Sequence, residues 1–342
     1  MSMRVLWLRP STGENISVRR ERIAEKLEKR GFKVDIQDSS GLDALSAIWT
    51  TVIGNYDIIA GNVRMGLFIG YPLARILRKP FLGDVSDTLS DIKNLPSPLF
   101  RLLAAYEWFI LERADASVFV YQSSYQEAKK RGVETPVKLP NAVDYEMFSS
   151  PNPEAVRESK MILKDTGVDL EKPMAVYIGI FTNNYQIVDI LRASKKSPEW
   201  EFVFIGEGKL ADTVETASDD QENVYYPGSF EYHLMPGFLS HADAGFCFKN
   251  AEQPLKLKEY GAAGIPAIAQ PGELQRFYND NELIFVEPDP TAISEVLTDI
   301  SEGKMSETAE NLRKKVKQHS WDNIADGYES LFNEMTGDYP ES

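Results

Sequence analysis

The chain has 342 residues, of which 43% are hydrophobic and 26% are charged, and this composition predicts a globular protein with enough chain for two domains. The net charge of -15 argues against nucleic acid as the main partner, because phosphate backbones are bound by basic surfaces. The uncharged apolar runs fall short of the roughly 18 to 20 residues that span a bilayer, so we expect a cytoplasmic protein.

Cysteine and histidine offer little chemistry in this chain. The one cysteine, Cys247, excludes an internal disulfide or a cysteine metal cluster. Its apolar neighbours favour a place in the core over a role as a nucleophile. The three histidines, His233, His241 and His319, are not spaced as metal ligands.

The first residues predict a parallel strand, helix and strand. Strands over residues 4–8 and 32–36 flank one helix, whose apolar residues recur at helical spacing. The loop after the first strand contains Ser11, Thr12 and Gly13, and it is expected at the carboxyl edge, where such sheets bind ligands. It contains no GxGxxG sequence, so a nicotinamide site has little support.

The alternation continues with strands over residues 56–60 and 80–84 and a helix over residues 65–77. The last of these strands ends in an acidic turn that contains Asp84 and Asp87. Both carboxylates are therefore expected at the same carboxyl edge. Aspartate is also an ordinary turn residue, and that interpretation stays open.

Charge is unevenly distributed along the chain. Residues 1–140 hold 20 Lys and Arg against 16 Asp and Glu, a net charge of +4, whereas residues 141–342 hold 17 against 36, a net charge of -19. The two parts are expected to face different partners.

Basic and apolar residues are interleaved in the first part. Arg75, Arg78 and Lys79 close one helix, and Trp108 belongs to a strongly apolar helix over residues 97–113. This pattern suits the headgroup region of an anionic membrane. Two core helices with solvated ends are the alternative.

A second round of strands and helices follows the polar stretch 149–153, which has the composition of a domain boundary. The predicted strands cover residues 174–180, 201–205, 224–226 and 244–248. Gly206 and Gly208 stand between a strand and a helix, as in a nucleotide-binding loop, although tight turns also require glycine.

Residues 252–269 predict a short helix followed by a buried strand. Pro254 suits the first helical position and Gly264 the left-handed residue that ends the helix. A helix N-terminus attracts phosphate, and Lys256 in the first turn would add a full charge. Glu259, one turn further, could reach the hydroxyls of a sugar.

This stretch resembles the donor-site signature of the GT-B glycosyltransferases, in particular the large retaining family numbered four. Residues 139–148 are similar to the interdomain signature of that family, and residues 112–118 and 320–328 resemble two more of its stretches. The resemblance covers nearly the whole chain. It implies donor-binding residues around the helix, namely Glu259, Leu255, Pro254, Glu252, Gly179, Gly206 and Gly208.

The resemblance also implies roles for single residues. Glu259 would hold the nucleotide ribose, whereas Glu252 lies one place from the position of the family's second glutamate. The implied catalytic residues are Asp87, which would face the acceptor, and Lys256. The implied acceptor side comprises Ser11, Thr12, Gly13 and Asp84. After Gly179 the family usually has an arginine and then a lysine, where this chain has Ile180 and Tyr185.

We therefore expect an α/β protein with two Rossmann-like parallel-sheet domains that face each other across a cleft. Residues 1–150 would hold the acceptor, residues 151–319 the donor, and a C-terminal helix over about residues 320–336 would cross back to the first domain. No Asp-x-Asp sequence occurs, so neither a metal ion nor a cofactor is expected.

The expected function is transfer of a sugar from a nucleoside-diphosphate sugar to a glycan or lipid-linked acceptor, with retention of configuration implied by the resemblance. The protein would act in the cytoplasm or at the inner face of the cell membrane. Two alternatives stay open. One is a nucleotide-sugar-binding partner subunit without activity, and the other is a nucleotide-sugar 2-epimerase, which would need acid and base side chains in the cleft.

Overall fold

The computed structural model describes residues 2–10, 18–62, 64–86 and 98–337. The chain forms two compact units, the first made of residues 1–142 and 321–342 and the second of residues 143–320.

The units divide between Ala142 and Val143, earlier than the boundary at residue 150 that the sequence predicted. Val143 belongs to the second unit because its backbone N–H donates to the carbonyl of His319 at 3.1 Å, and because it forms a parallel bridge with Ser320. Phe148 lies in the hydrophobic core of that unit.

The first unit contains a six-stranded parallel sheet in the order β2-β1-β3-β4-β5-β6. Its strands are β1 (Arg4–Arg9), β2 (Lys33–Asp38), β3 (Ile58–Asn62), β4 (Phe81–Val85), β5 (Ala116–Phe119) and β6 (Pro136–Lys138). The helices between them are α1 (Val18–Glu28), α2 (Asp43–Ile53), α3 (Met65–Leu77), α4 (Pro98–Leu111) and α5 (Gln122–Arg131). Both β3 and β4 are buried along their whole length, as strands covered by helices on two faces should be.

The second unit contains another six-stranded parallel sheet, in the order β12-β11-β10-β7-β8-β9. Its strands are β7 (Met174–Ile178), β8 (Glu201–Ile205), β9 (Val224–Gly228), β10 (Ala244–Cys247), β11 (Ala267–Ala269) and β12 (Ile284–Phe285). Its helices are α6 (Tyr145–Ser149), α7 (Pro153–Asp165), α8 (Ile187–Ser194), α9 (Ala211–Asp220), α10 (Met235–Leu239), α11 (Leu255–Ala263), α12 (Pro290–Ser301) and α13 (Ser306–Lys317). The two-sheet α/β fold class predicted from the sequence is confirmed.

The last helix, α14 (Trp321–Thr336), lies in the first unit. Trp321, Tyr328 and Phe332 are buried in one hydrophobic cluster with α1 and the first sheet. On the surface of α14, Asp322 forms an ion pair with Lys26 of α1 at 2.7 Å, and Asp326 forms one with Arg30, in the turn after α1, at 2.6 Å. No helix among the described residues is both long and apolar enough to cross a bilayer.

Two local predictions were wrong for identifiable reasons. Pro153 begins α7 instead of marking a linker, because its missing N–H costs nothing at a helix start. The helix expected from Tyr185 begins at Ile187, because Gln186 has a φ of 53° and separates it from a 3₁₀ turn over Asn183–Tyr185. The helix α2 was not predicted at all.

Candidate functional site

The candidate site lies at the carboxyl edge of the second sheet. The strand order reverses between β7 and β10, and ligands of doubly wound sheets bind outside such a switch point. The loop after β7 begins at Gly179, and the loop after β10 leads to the N-terminus of α11 at Leu255. The site is therefore built from these two loops and the first turns of α11.

Glycines bring the loops of this edge into direct contact. Gly206 has a φ of 143°, and a Cβ atom there would lie 2.0 Å from the carbonyl oxygen of Gly179. Gly208 has a φ of 144°, and its Cβ would lie 2.6 Å from the carbonyl oxygen of Phe181. Close packing of backbone against backbone thus accounts for both glycines, and ligand contact is not required to explain them.

Lys256, in the first turn of α11, carries the main charge of the site. Its Nζ atom lies 3.7 Å from the ring centroid of Tyr177 and 4.2 Å from that of Tyr185. The atom is buried and has no hydrogen-bond partner within the part of the chain that the structure describes. Burial lowers the pKa of the ammonium group from 10.5 to about 7. A buried cation held only by aromatic rings is short of its full complement of partners.

Gly179 allows this approach, because a Cβ atom there would lie 3.1 Å from Nζ of Lys256. The next residue, Ile180, is 55% exposed. Ile180 and Tyr185 occupy the positions at which the resembled family has cations. Lys256 therefore contacts the aromatic ring of Tyr185 where a second charge was expected.

A second cation, Lys249, was missed by the sequence reasoning. It is the second residue after β10, and its Nζ donates to the hydroxyl oxygen of Tyr185 at 2.9 Å. Nζ also lies 5.0 Å from the centroid of the same ring. Tyr185 thus joins the two lysines. The signal was present in the sequence, since Lys249 follows a buried strand at the carboxyl edge.

Glu259 lies one turn after Lys256 and is 9% exposed. Its Oε1 atom accepts a hydrogen bond from the hydroxyl of Tyr232 at 2.9 Å. Burial raises the pKa of the carboxyl group, and the Tyr232 hydrogen bond and the charge of Lys256 oppose that rise. A buried carboxylate with a tyrosine beside it is suited to accept hydrogen bonds from sugar hydroxyls.

The remaining predicted donor residues surround the start of α11. Pro254 is the N-cap, not the first helical residue, and its φ and ψ of -70° and 122° are extended. Leu255 begins the helix and is 43% exposed. Glu252 is half-buried in the preceding loop. Gly264 ends the helix with a φ of 79°, as the sequence predicted.

Asp84 does not offer its carboxylate to a ligand. The side chain is completely buried at the end of β4. Its oxygens lie 3.5 Å from Nε of Arg20 and accept from the hydroxyl of Tyr328 at 3.0 Å and the amide of Asn62 at 3.5 Å. The predicted acceptor contact of Asp84 is therefore corrected to a structural role, because these groups enclose it.

The other predicted residues of the first unit, Ser11, Thr12, Gly13 and the catalytic candidate Asp87, lie outside the described residues. Among the described residues, no group of three or more His, Cys, Asp or Glu side chains is arranged to hold a metal ion. Cys247 is buried at the end of β10, and burial raises the pKa of its thiol to about 11, which fits the predicted core position.

The arrangement can bind an anion. The N-terminal turn of α11 has backbone N–H groups without intrahelical acceptors and about half a positive charge. Lys256 and Lys249 add cationic groups on one side of that turn. An anion with two or more charged oxygens would supply the partners that the Lys256 ammonium lacks.

The comparisons with known proteins agree with this geometry. Residues 159–319 match the family described as glycosyl transferases group 1, and no curated protein sequence matches the chain. HepE from Anabaena, in complex with UDP and glucose, has a TM-score of 0.70 and 16% identity over 97% of this chain and 100% of its own.

Two further solved structures share the fold over nearly their full length. Sucrose-phosphate synthase from Thermosynechococcus elongatus has a TM-score of 0.73 and 16% identity, covering 98% of this chain and 100% of its own. The catalytic domain of starch synthase IV from Arabidopsis thaliana, bound to ADP and acarbose, has a TM-score of 0.69 and 11% identity over 98% of this chain and 100% of its own. Residues 159–319, which lie within the second unit, are thus similar to group 1 glycosyltransferases, and the chain shares the GT-B fold of these solved structures.

Proposed function

We propose that the protein transfers a sugar from a nucleoside-diphosphate sugar, and that the donor diphosphate binds at the N-terminus of α11. The observation that carries the proposal is the Lys256 ammonium, which is buried beside that helix start and has no hydrogen-bond partner in residues 2–10, 18–62, 64–86 and 98–337. It lies at the switch point of the second sheet, where doubly wound sheets bind nucleotides. The structures of HepE with UDP-glucose and of starch synthase IV with ADP support a donor of this class.

In this proposal each residue of the site has a separate role. The diphosphate oxygens accept hydrogen bonds from the first backbone N–H groups of α11, including that of Leu255, and from Lys256. Lys256 then stabilises the charge that develops on the leaving diphosphate, because a cation already in place needs no reorganisation. Glu259 accepts hydrogen bonds from the ribose. Glu252 stands near the sugar end of the donor.

Lys256, Lys249 and the N-terminus of α11, instead of a metal ion, stabilise the charge of the leaving group. The family resemblance supports retention of configuration at the transferred sugar. The acceptor is a glycan or a lipid-linked sugar, and Asp87 is assigned to the acceptor by the family resemblance alone. Peripheral attachment to the inner face of the cell membrane belongs to the same proposal. The exposed cations Arg75 and Arg78 support it.

The test is calorimetric titration with uridine, adenosine and guanosine diphosphates and their glucose conjugates, followed by an assay for release of free nucleoside diphosphate. Glu259→Ala should weaken the selected donor by about 2 kcal/mol, roughly 30-fold, because a charge-assisted contact is lost. Glu282→Ala, which removes an acidic residue from an ion pair with Lys315, is the matched control and should leave affinity unchanged.

The outcomes separate the alternatives. Donor binding without turnover on any acceptor would indicate a partner subunit, which Ile180 and Tyr185 favour because both are uncharged. Release of an epimerised sugar would indicate the epimerase. Equal affinity of the wild type and the Glu259 variant would contradict the assigned ribose contact.

A further inference from the structure

Helix α2 presents a row of large apolar side chains to solvent. The exposed residues are Leu42 at its N-cap, Leu45, Ile48, Trp49, Val52 and Ile53, and their exposed fractions range from 39% to 90%. Only Ala47 and Thr51 of α2 are buried. The helix has no charged residue after Asp43. A surface helix of a globular protein normally has the reverse pattern, with its polar side outward.

The apolar residues form one continuous surface, named here the α2 face. At about 100° per residue they fall within an arc of roughly 140°, on the side away from Ala47 and Thr51. A contiguous apolar surface of this kind marks an interaction site, whereas single exposed apolar residues do not.

Basic residues adjoin the α2 face. Val52 and Ile53 line a small cavity together with Leu77 and Lys79 at the end of α3. Arg78 has a φ of 54° and caps that helix, and neither Arg78 nor Lys79 forms an ion pair with another described residue. Ile76 beside them is 75% exposed.

The acidic residues near this end of α2 already have a partner. Arg4 forms an ion pair with Asp35 at 3.1 Å, and its backbone N–H donates to Asp57 at 2.8 Å. The Arg4 guanidinium also donates to the carbonyl of Gly54, just after α2. At this end of α2 the nearby acidic groups are therefore engaged by Arg4, whereas Asp43 lies at the opposite end of the helix.

We propose that the α2 face inserts into the headgroup region of an anionic lipid bilayer, with Arg78 and Lys79 on the lipid phosphates. An amphipathic helix that lies in the membrane interface has this composition, an apolar side with tryptophan and a basic rim. The proposal extends the proposed function by naming the surface through which the transferase reaches a lipid-linked acceptor.

Two other partners for the α2 face fit these observations less well than a lipid bilayer does. A second copy of the chain would cover the apolar residues but would not give Arg78 and Lys79 the phosphate partners that an anionic bilayer supplies. The second unit of another molecule is acidic, with 17 Lys and Arg against 30 Asp and Glu in residues 143–320. Its large exposed apolar residues in the described part are few and scattered, namely Met161, Ile180, Tyr232 and Leu255.

The lipid-facing tryptophan is Trp49 and not Trp108, which the sequence pattern favoured. Trp108 is 3% exposed and packs in the core. The remaining tryptophans, Trp7, Trp200 and Trp321, are also buried. Trp49 is thus the one tryptophan that a lipid-borne quencher could reach in the folded protein.

The experiment measures binding of the full chain to vesicles of phosphatidylglycerol and phosphatidylcholine, and to phosphatidylcholine alone. Lipids brominated in the acyl chain should quench tryptophan emission with anionic vesicles only, and Trp49→Phe should abolish the quenching. The double variants Trp49→Ser with Ile53→Ser, and Arg78→Glu with Lys79→Glu, should each weaken vesicle binding more than tenfold. High salt should weaken wild-type binding.

Met161→Ser is the matched control, because Met161 is an apolar residue that is 65% exposed on α7 of the second unit. This variant should bind vesicles as the wild type does. No vesicle binding by the wild type, or unchanged binding by both double variants, would overturn the proposal. A wild-type dimer in light scattering that the Trp49 and Ile53 variant converts to monomer would also overturn it, in favour of a second copy. Nucleotide titration of the same variants tests the proposed function separately, since neither double variant touches the second unit.

Discussion

Each sheet holds a buried cation at its carboxyl edge, and the two cations have different surroundings. In the first unit Arg20 is 3% exposed, and its Nε atom lies 3.5 Å from the carboxylate of Asp84. The hydroxyl of Tyr328 and the amide of Asn62 also donate to that carboxylate. In the second unit Lys256 has no carboxylate within ion-pair distance and no hydrogen-bond partner among the described residues.

The difference shows that the buried cation of the first edge has a counterion within the fold, and we infer that the cation of the second edge is placed for a ligand. A buried charge that has its counterion within the fold contributes to structure, and removal of that counterion is costly. A buried charge without a counterion lowers stability until an anion supplies one. On this reasoning Arg20 is structural and Lys256 is functional, and variants at the two edges should fail in opposite ways.

The largest effect is expected in the first unit. Asp84→Ala should lower the free energy of unfolding by about 3–5 kcal/mol, because Arg20 is left buried without a counterion. Urea denaturation followed by circular dichroism measures the change. Asp38→Ala is the matched control, since Asp38 pairs with Arg9 at 2.6 Å but both side chains are partly exposed, and such pairs contribute about 0–1 kcal/mol. Comparable losses in the two variants would remove the distinction between the edges.

Lys256→Met should show the opposite pattern. The free energy of unfolding should stay the same or rise, because a buried unpaired charge is replaced by an apolar side chain of similar length. Affinity for the nucleoside diphosphate should fall by about 2–3 kcal/mol, roughly 30- to 150-fold, whereas affinity for the nucleoside should change little.

Calorimetry on both ligands measures this split, and Lys209→Met is its control, because Lys209 is exposed on the neighbouring loop after β8. Equal losses for nucleoside and nucleoside diphosphate would show that Lys256 does not act on the diphosphate.

Much of the candidate site at the carboxyl edge of the second sheet could be predicted from the sequence, because many of its residues are adjacent in the chain. Pro254, Lys256, Glu259 and Gly264 lie within one helix and its caps, so helical spacing alone relates them. Lys249 and Tyr185 could not be related in that way, because they lie after β10 and β7, two strands that become neighbours only through their pairing in the sheet.

The first unit shows the same limit for Asp84 and α2. The position of Asp84 at the end of β4 follows from the strand pattern, but its burial depends on Tyr328, 244 residues later in the chain. The apolar residues of helix α2 recur at helical spacing, so the helix could have been predicted. The same spacing would have placed its apolar side in the core, and only the structure shows that this side is exposed.

Donor affinity should also depend on pH, to a smaller extent than it depends on the presence of Lys256. The pKa of Lys256 is about 7 in the free protein, below its ordinary value of 10.5, and bound diphosphate should raise it. Affinity should then fall by up to tenfold per pH unit above pH 7, because binding takes up a proton. Titrations of the intact nucleotide sugar, whose diphosphate has no ionisation in this range, measure the slope.

Stability of the free protein should change in the other direction over the same pH range. The unfolded chain binds the Lys256 proton more tightly than the folded chain does, so the free energy of unfolding should rise between about pH 7 and the ordinary pKa of lysine. Lys256→Met should flatten both dependences. A wild-type affinity that is constant from pH 6 to 9 would contradict the lowered pKa.

The smallest effect is expected at Lys249, and it tests whether the two lysines form one anion site. Lys249 is half-buried, and Tyr185 holds it through the 2.9 Å hydrogen bond. Lys249→Met should therefore weaken binding of the nucleoside diphosphate by about 1 kcal/mol, roughly fivefold. Tyr185→Phe should give part of that loss because the hydroxyl no longer positions the ammonium.

In a double-mutant cycle the two losses of affinity should not add, since each variant removes the same contact. Additive losses would mean that Tyr185 and Lys249 act separately, and no loss in either variant would leave Lys256 and the start of α11 as the whole of the site. Either result would leave unchanged the contrast between Lys256 in the second unit and Arg20, which is ion-paired with Asp84, in the first unit.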